Sequence, residues 1–484
     1  MTNKEYDNTE VRFSSEDEIF GWIQALSSLP HRRTGTEEGL KSAEYIKEQF
    51  EDIGLEQVKI EEIDGLCLDM EDAQLSVNGK SYSGFMINGT FHKDEYGDFE
   101  TGKEYENCPF IYLGEGRDED FEGIDVKGKI VMCDCPWFDM DEDSYAKDWC
   151  SGQAIVYDPD AEKRTKVRKT DSYSPNAWPY NYIIAQKKGA VGFVGILNDY
   201  FEDGILWSED YTEIGEALGC SRFKIPGIWI GVTAADEIKK QLAQNKNTAT
   251  VDAKARYYKG KARNVFGVLP GKSADAIVVH SHHDAVFSGA VQDASGMSEV
   301  LALAKYFSHI PKEKREKTLI FAGLDGHYTD YAGHRGFVKK LSQGTRKILA
   351  DVVIEHIGKD VGIDENNRPI VNEYPEIRLL YVSDDEKLVK LVEKAVVENG
   401  IKRTIIMPVK PYQQSESGLY EFQQDEVISD AYYSHIAGIP IVSILSPQMY
   451  LFHPMDKPDM IPKDQLVPVG EAFVEIIKGI GEIY

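Results

Sequence analysis

The chain has 484 residues, a formal net charge of −28, 42% hydrophobic residues and 28% charged residues. That length exceeds one ordinary core and implies two or three domains of globular composition. The acidic balance excludes nucleic acid and anionic membrane surfaces as main partners, because both need basic patches.

The opening segment MTNKEYDNTEVRFSSEDE has no apolar run, so no signal peptide is expected. No stretch of about eighteen apolar residues offers a membrane span. Cys67, Cys108, Cys133, Cys135, Cys150 and Cys220 have neither zinc-knuckle nor redox spacing. Reduced thiols and a cytoplasmic location are the expectation.

Ser15 before Glu16-Asp17-Glu18 reads as a helix cap with an acidic first turn. Ile19, Phe20, Ile23, Leu26 and Leu29 then recur at helical spacing up to Pro30. The polar loop PHRRTGTEEG carries His31 and Arg32, either as a solvated turn or as a loop over a site. LKSAEYIKEQFEDIG is a second helix ended by Gly54, and Val58 to Ile63 alternates as a strand. Residues 65–104 read as short β segments with Asn-Gly turns. From Cys108 to Val251 the chain is β-rich, with one helix ending near Lys188 and an acidic aromatic stretch around Trp137, Trp149 and Trp178. That stretch is a packed insertion, a lid or a dimer contact. No linker separates this region, so two adjacent strands are expected to join it to the rest. From Lys261 onward, strands such as AIVVHSH, TLIFAGL, DVVIEHIG and IPIVSIL alternate with helices. The fold class is therefore α/β, a mostly parallel mixed sheet with helices on both faces. Its domains run 1–104, an inserted β-rich 105–254, and 255–484. No glycine-rich phosphate loop follows a strand, which excludes a nucleotide cofactor.

Strand ends in the α/β part deliver His282 with Asp284, Gln292 with Asp293, His327 with Tyr328, Glu355 with His356, and then Asp430 and His453. Imidazoles and carboxylates gathered at strand ends suggest a metal-hydrolase cleft. Tyr432 beside Asp430 is a candidate pocket residue, as are Gln292, His356 and Asp430 themselves. His280 reads as buried on its strand, and His283 should face away from His282. His334 and His435 read as surface or packing residues.

The blocks HSHHDAV, GAVQDASG, FAGLDGHYTDYAG, VVIEHIG, SDAYYSHIAGIP and LFHPMDKPDMI resemble, in order, those of metallopeptidase family twenty-eight, the aminopeptidases with paired zinc ions. FEGIDVKGKIVMCD with AQKKGAVGFVGI is similar to the protease-associated domain often inserted in that family. The resemblance implies His282, Glu355 and His453 as metal ligands and Asp284 as the support of His282. The family's bridging aspartate falls on Gln292, with Asp293 one position along and expected to point elsewhere. The family's paired glutamates fall on His327 and Tyr328, which places His327 as general base with Tyr328 beside it. Without a bridging anion, two dications about 3.5–4 Å apart repel by on the order of 15–20 kcal/mol at an effective dielectric of about 20. One divalent ion, zinc or manganese, is therefore expected rather than two. It would sit on His282 and Glu355 with His356 or His453; a second ion would need Asp293 to swing in. The implied activity is hydrolysis of an amide bond in a small peptide or acyl-amino acid, by a monomer or homo-oligomer. The alternatives are metal-free acid–base chemistry on the same scaffold and a non-catalytic, receptor-like binding protein.

Overall fold

The computed structural model describes residues 11–70, 72–91, 96–138, 154–163, 174–208, 223–242, 247–412 and 427–484. Trp149, Cys150, Cys220 and most of the acidic aromatic stretch lie outside the described residues. The first helix forms where its cap predicts, and the second starts at Glu37, inside the segment read as polar loop. Ser15 accepts from the Glu18 N–H at the start of Glu16–Ser27, and Thr36 caps Glu37–Ile53, which ends on left-handed Gly54.

The main sheet has ten strands: β1 (Glu56–Met70), β2 (Gly97–Glu100), β3 (Ile155–Tyr157), β4 (Lys254–Leu269), β5 (Ala276–His282), β6 (Thr318–Leu324), β7 (Ile348–Ile354), β8 (Arg378–Ser383), β9 (Thr404–Val409) and β10 (Ile441–Leu445). Their order is β1-β4-β6-β5-β7-β10-β8-β9-β3, with β2 paired to β4. β6, β5, β7 and β10 are mutually parallel, and the outer pairs β1–β4 and β9–β3 are antiparallel. On β5, Ile277 and Val279 enter the core beneath helices Glu16–Ser27, Glu37–Ile53, Gly296–Ser308 and Leu466–Ile483. Ala276 and Val278 pack on the other face with Phe337 of the Ala332–Gln343 helix. Burial on both faces explains why this strand reads as an unbroken apolar run.

Strands 72–77, 80–86, 108–112, 130–135, 192–197, 227–231 and 248–252 close into a separate barrel. Its first two strands precede residue 105, because the hairpin at Asn78-Gly79 pairs with strand 248–252 and not with the main sheet. In the other direction, β3 leaves the 105–254 segment and joins the main sheet through β9. The chain enters and leaves the barrel along the β1–β4 ribbon, which runs unbroken from Lys59–Phe266 to Met70–Ala255. Those are the adjacent strands expected as joints. Cys67, Cys108, Cys133 and Cys135 are free and buried. Among the described residues, no helix is long and apolar enough to cross a membrane.

Gly296 starts the helix behind the cleft and presses on β7. A Cβ there would lie 2.1 Å from the Ile354 carbonyl oxygen and 2.7 Å from the Asp293 carboxylate. Gly296→Ala is expected to lower stability by about 1–3 kcal/mol, read as a reduced midpoint in urea unfolding. An unchanged midpoint would show that the helix start is not pinned.

Candidate active site

The cleft forms at the C-terminal ends of β5, β6 and β7. β5 delivers His282, while His283 turns away, donating to Arg263 O at 2.9 Å and accepting from Ser42 Oγ at 3.1 Å. His282 Nδ1 donates to the Asp284 carbonyl at 3.0 Å and to its Oδ1 at 3.2 Å. That contact fixes the tautomer and leaves a lone pair on Nε2. The Nε2 is buried, with no hydrogen-bond partner among the described residues. Asp284 Oδ2 accepts from Thr34 Oγ1 at 3.2 Å and from the Tyr328 N–H at 3.3 Å. Burial opposes its charge, but the hydrogen bond and charge of His282, with His327 and His283, hold its pKa at about 2.

Asp293 does not point elsewhere: its Oδ2 lies 4.0 Å from His282 Nε2. The carboxylate accepts from the N–H groups of His356 at 3.0 Å and Gly296 at 3.1 Å, and from the Ser281 hydroxyl. These bonds aim it inward from a loop whose register alone predicted otherwise. Burial pushes its pKa up to about 6 against the pull of His282. His356 follows β7 with left-handed backbone, φ 55°, a cost of order 1–3 kcal/mol for a non-glycine residue. Its Nδ1 donates to Ser446 O at 3.2 Å, and its Nε2 is buried with no partner among the described residues. Burial, then the neighbouring His282 and His327, hold its pKa well below the usual range.

Asp430 accepts from His327 Nδ1 at 2.9 Å and from His334 Nε2 at 2.7 Å. The His327 ring stacks on His282 with centroids 4.3 Å apart. Burial disfavours the Asp430 charge, yet His334, His327 and His282 together hold its pKa well below the carboxylate range. His334 thus belongs to the cleft's hydrogen bonding and is no mere packing residue. Tyr328 sets its ring 4.9 Å from His327 and 6.0 Å from Phe452. The Gln292 side chain is buried, and its N–H donates to Asp456 at 2.9 Å.

Two expected ligands stand apart. Glu355 accepts from the Asp430 N–H at 3.2 Å, and burial, then Asp430 and Asp293, push its pKa well above the usual range. His453 donates from Nε2 to Asp203 at 3.0 Å and accepts on Nδ1 from the Met455 N–H at 3.1 Å, so both ring nitrogens are used. Tyr432 touches Tyr433, which packs on Tyr331 and through it on His327. It lies at the edge of the cleft, two rings from the imidazole.

Arg32 decides between the two readings left open for its loop, in favour of a loop at the site. It is fully buried and donates to the carbonyls of His283, Ser288, Gly289 and Gln292. Burial lowers its pKa to about 10, with Asp456, Asp293 and Asp284 opposing, so it stays charged at neutral pH. Its signal was the loop position alone, which a solvated turn shares.

Residues 264–477 match the model of peptidase family M28. The match lies within the α/β domain, from β4 to the helix Leu466–Ile483. The zinc aminopeptidase BSAP of Bacillus subtilis is similar in fold, with a TM-score of 0.65 and 17% identity over 97% of this chain and 95% of that one. An aminopeptidase from Aneurinibacillus sp. strain AM-1 gives 0.59 and 21% identity over 97% and 93%. A peptidase M28 precursor from Shewanella amazonensis gives 0.64 and 15% over 96% and 93%. A search of curated proteins finds no match.

Arg32→Leu removes the cation that ties the loop of Asp293 to the first helices. It should cost about 3–5 kcal/mol in urea unfolding; a cost below about 1 kcal/mol would show that the loop holds itself. Burial raises the Asp456 pKa to about 7 against its bonds from the Val291 and Gln292 N–H groups. A carboxyl raised in the folded state contributes stability fully present near pH 4 and lost as pH rises through 7. Urea midpoints of the wild type should fall across that window, and Asp456→Asn should flatten the fall. Equal slopes in both would remove Asp456 as its source.

Proposed function

We propose that this M28-type protein hydrolyses an amide bond of a small peptide or acyl-amino acid, with His327 as the acid–base group. The observation that carries the reading is the His327–Asp430 contact of 2.9 Å beside the His282 ring. A carboxylate on Nδ1 orients an imidazole and stabilises its protonated form, the usual arrangement behind a general base. His327 Nε2 would take the proton of the attacking water and return it to the leaving amine. A divalent ion held by donors of this cleft would polarise the carbonyl and acidify a bound water.

The limited access favours a small substrate. His282, Asp284 and Asp293 expose none of their surface, Glu355, His356 and Asp430 at most 3%, and His327 8%. Water and substrate therefore reach this group of residues at His327. Tyr328 and Tyr331, both partly exposed, offer ring surface there for a side chain. The barrel is our candidate for the protease-associated-like insertion, since the segments that suggested it supply strands 130–135 and 192–197.

The test is a panel of aminoacyl-anilides, dipeptides and acyl-amino acids with and without added zinc or manganese. His327→Ala should lower kcat by about 10²–10⁴-fold, and Asp430→Asn should shift the pH profile while His327 stays in place. No turnover of any amide by the wild type, or full turnover by His327→Ala, would sink the reading.

A further inference from the structure

We infer that the cleft holds one divalent cation on His282 Nε2, His356 Nε2 and the Asp293 carboxylate, a donor set different from the paired-ion set that the family resemblance implies. The three donor atoms lie within 4.8 Å of one another, and every residue is buried. Two independent hydrogen bonds, His282 Nδ1 to Asp284 and His356 Nδ1 to Ser446, leave each imidazole with a lone pair on Nε2. Both lone pairs are shielded from water and have no donor among the described residues. Two imidazole nitrogens without a donor face a carboxylate, and a buried polar group left unpaired costs about 1–3 kcal/mol. A cation satisfies all three at once.

The donor types suit zinc, manganese or cobalt, two imidazoles and one carboxylate with open positions for water and substrate. Tetrahedral zinc with bonds of about 2.0–2.1 Å needs donors roughly 3.3 Å apart, so the 4.0 Å between His282 and Asp293 closes by less than about 1 Å. The other grouping, His282 with His327 and Asp430, is weaker, because Asp430 spends one oxygen on His327 and the other on His334. The family's positions do not supply a second ion. Gln292 carries no charge where the bridge should be, Tyr328 replaces a carboxylate, and both nitrogens of His453 are engaged. The groups that would orient these donors are already in place: Asp284 and Ser446 behind the imidazoles, Ser281 and two N–H groups behind Asp293.

The site shares its cleft with the proposed hydrolase, and the two ideas fail separately, because binding is read without substrate. Chelator-stripped full-length protein is titrated with Zn²⁺ and Mn²⁺ by calorimetry, and with Co²⁺ by visible absorption. One equivalent per chain is expected, with Co²⁺ bands of a nitrogen–oxygen site. His356→Gln and Asp293→Asn should each weaken binding at least about 100-fold, while His453→Ala and Glu355→Gln leave it unchanged. Circular dichroism checks the fold of each variant, and the wild-type stoichiometry decides even where a variant does not fold. Two equivalents, no binding, or loss of binding in His453→Ala with retention in His356→Gln would each overturn the inference.

Discussion

The buried guanidinium of Arg32 is the constraint on which the cleft depends. A charge taken from water into protein needs several partners to offset its desolvation. Arg32 finds them in the backbone carbonyls of the segment from His283 to Gln292 and in the field of Asp456, Asp293 and Asp284. One side chain between the first two helices therefore sets the path of the loop that carries Asp293. Asp456 completes the arrangement from the far end of the chain by receiving the Val291 and Gln292 N–H groups. Three distant segments meet in that loop, and its shape is a tertiary property.

Around it, acidic side chains take three different charge states for three different reasons. Asp284 and Asp430 are surrounded by imidazoles, which keep them ionised despite burial. Glu355 is driven toward its neutral form by burial first and then by the neighbouring Asp430 and Asp293. Asp293 lies between, pushed up by burial to about 6. The separation of these states lets a small buried volume hold acids, bases and acceptors together without a large net charge.

Periodicity made the α/β sheet legible. The double-sided burial of AIVVHSH and the capped helix at Ser15 follow from local pattern, and so did the placing of His282 and His327 at strand ends. What was not legible depends on contacts between distant residues. Asp293 was assigned away from the cleft because it stands one position from the family's bridging residue, and in a loop such an offset does not fix where a side chain points. His453 matched a ligand position by order alone, and only the approach of Asp203 from the loop after strand 192–197 shows why it is engaged otherwise. His334 looked like a packing residue because nothing local announces Asp430, which is 96 residues away. The pairing of strands 72–77 and 80–86 is hidden for a similar reason, since they meet their partner only when 248–252 returns.

The β1–β4 ribbon has a consequence for how the chain reaches this structure. Its paired residues are about 200 positions apart, from Lys59 with Phe266 to Met70 with Ala255. Joining such ends in an unstructured chain costs about 4–5 kcal/mol in loop-closure entropy. A barrel formed first would bring residues 70 and 255 side by side and remove most of that cost. Assembly of the outer sheet would then be gated by a domain that contributes none of the cleft's imidazoles. High contact order of this kind slows folding, so the insertion would act as a kinetic organiser of the sheet on which the cleft is built.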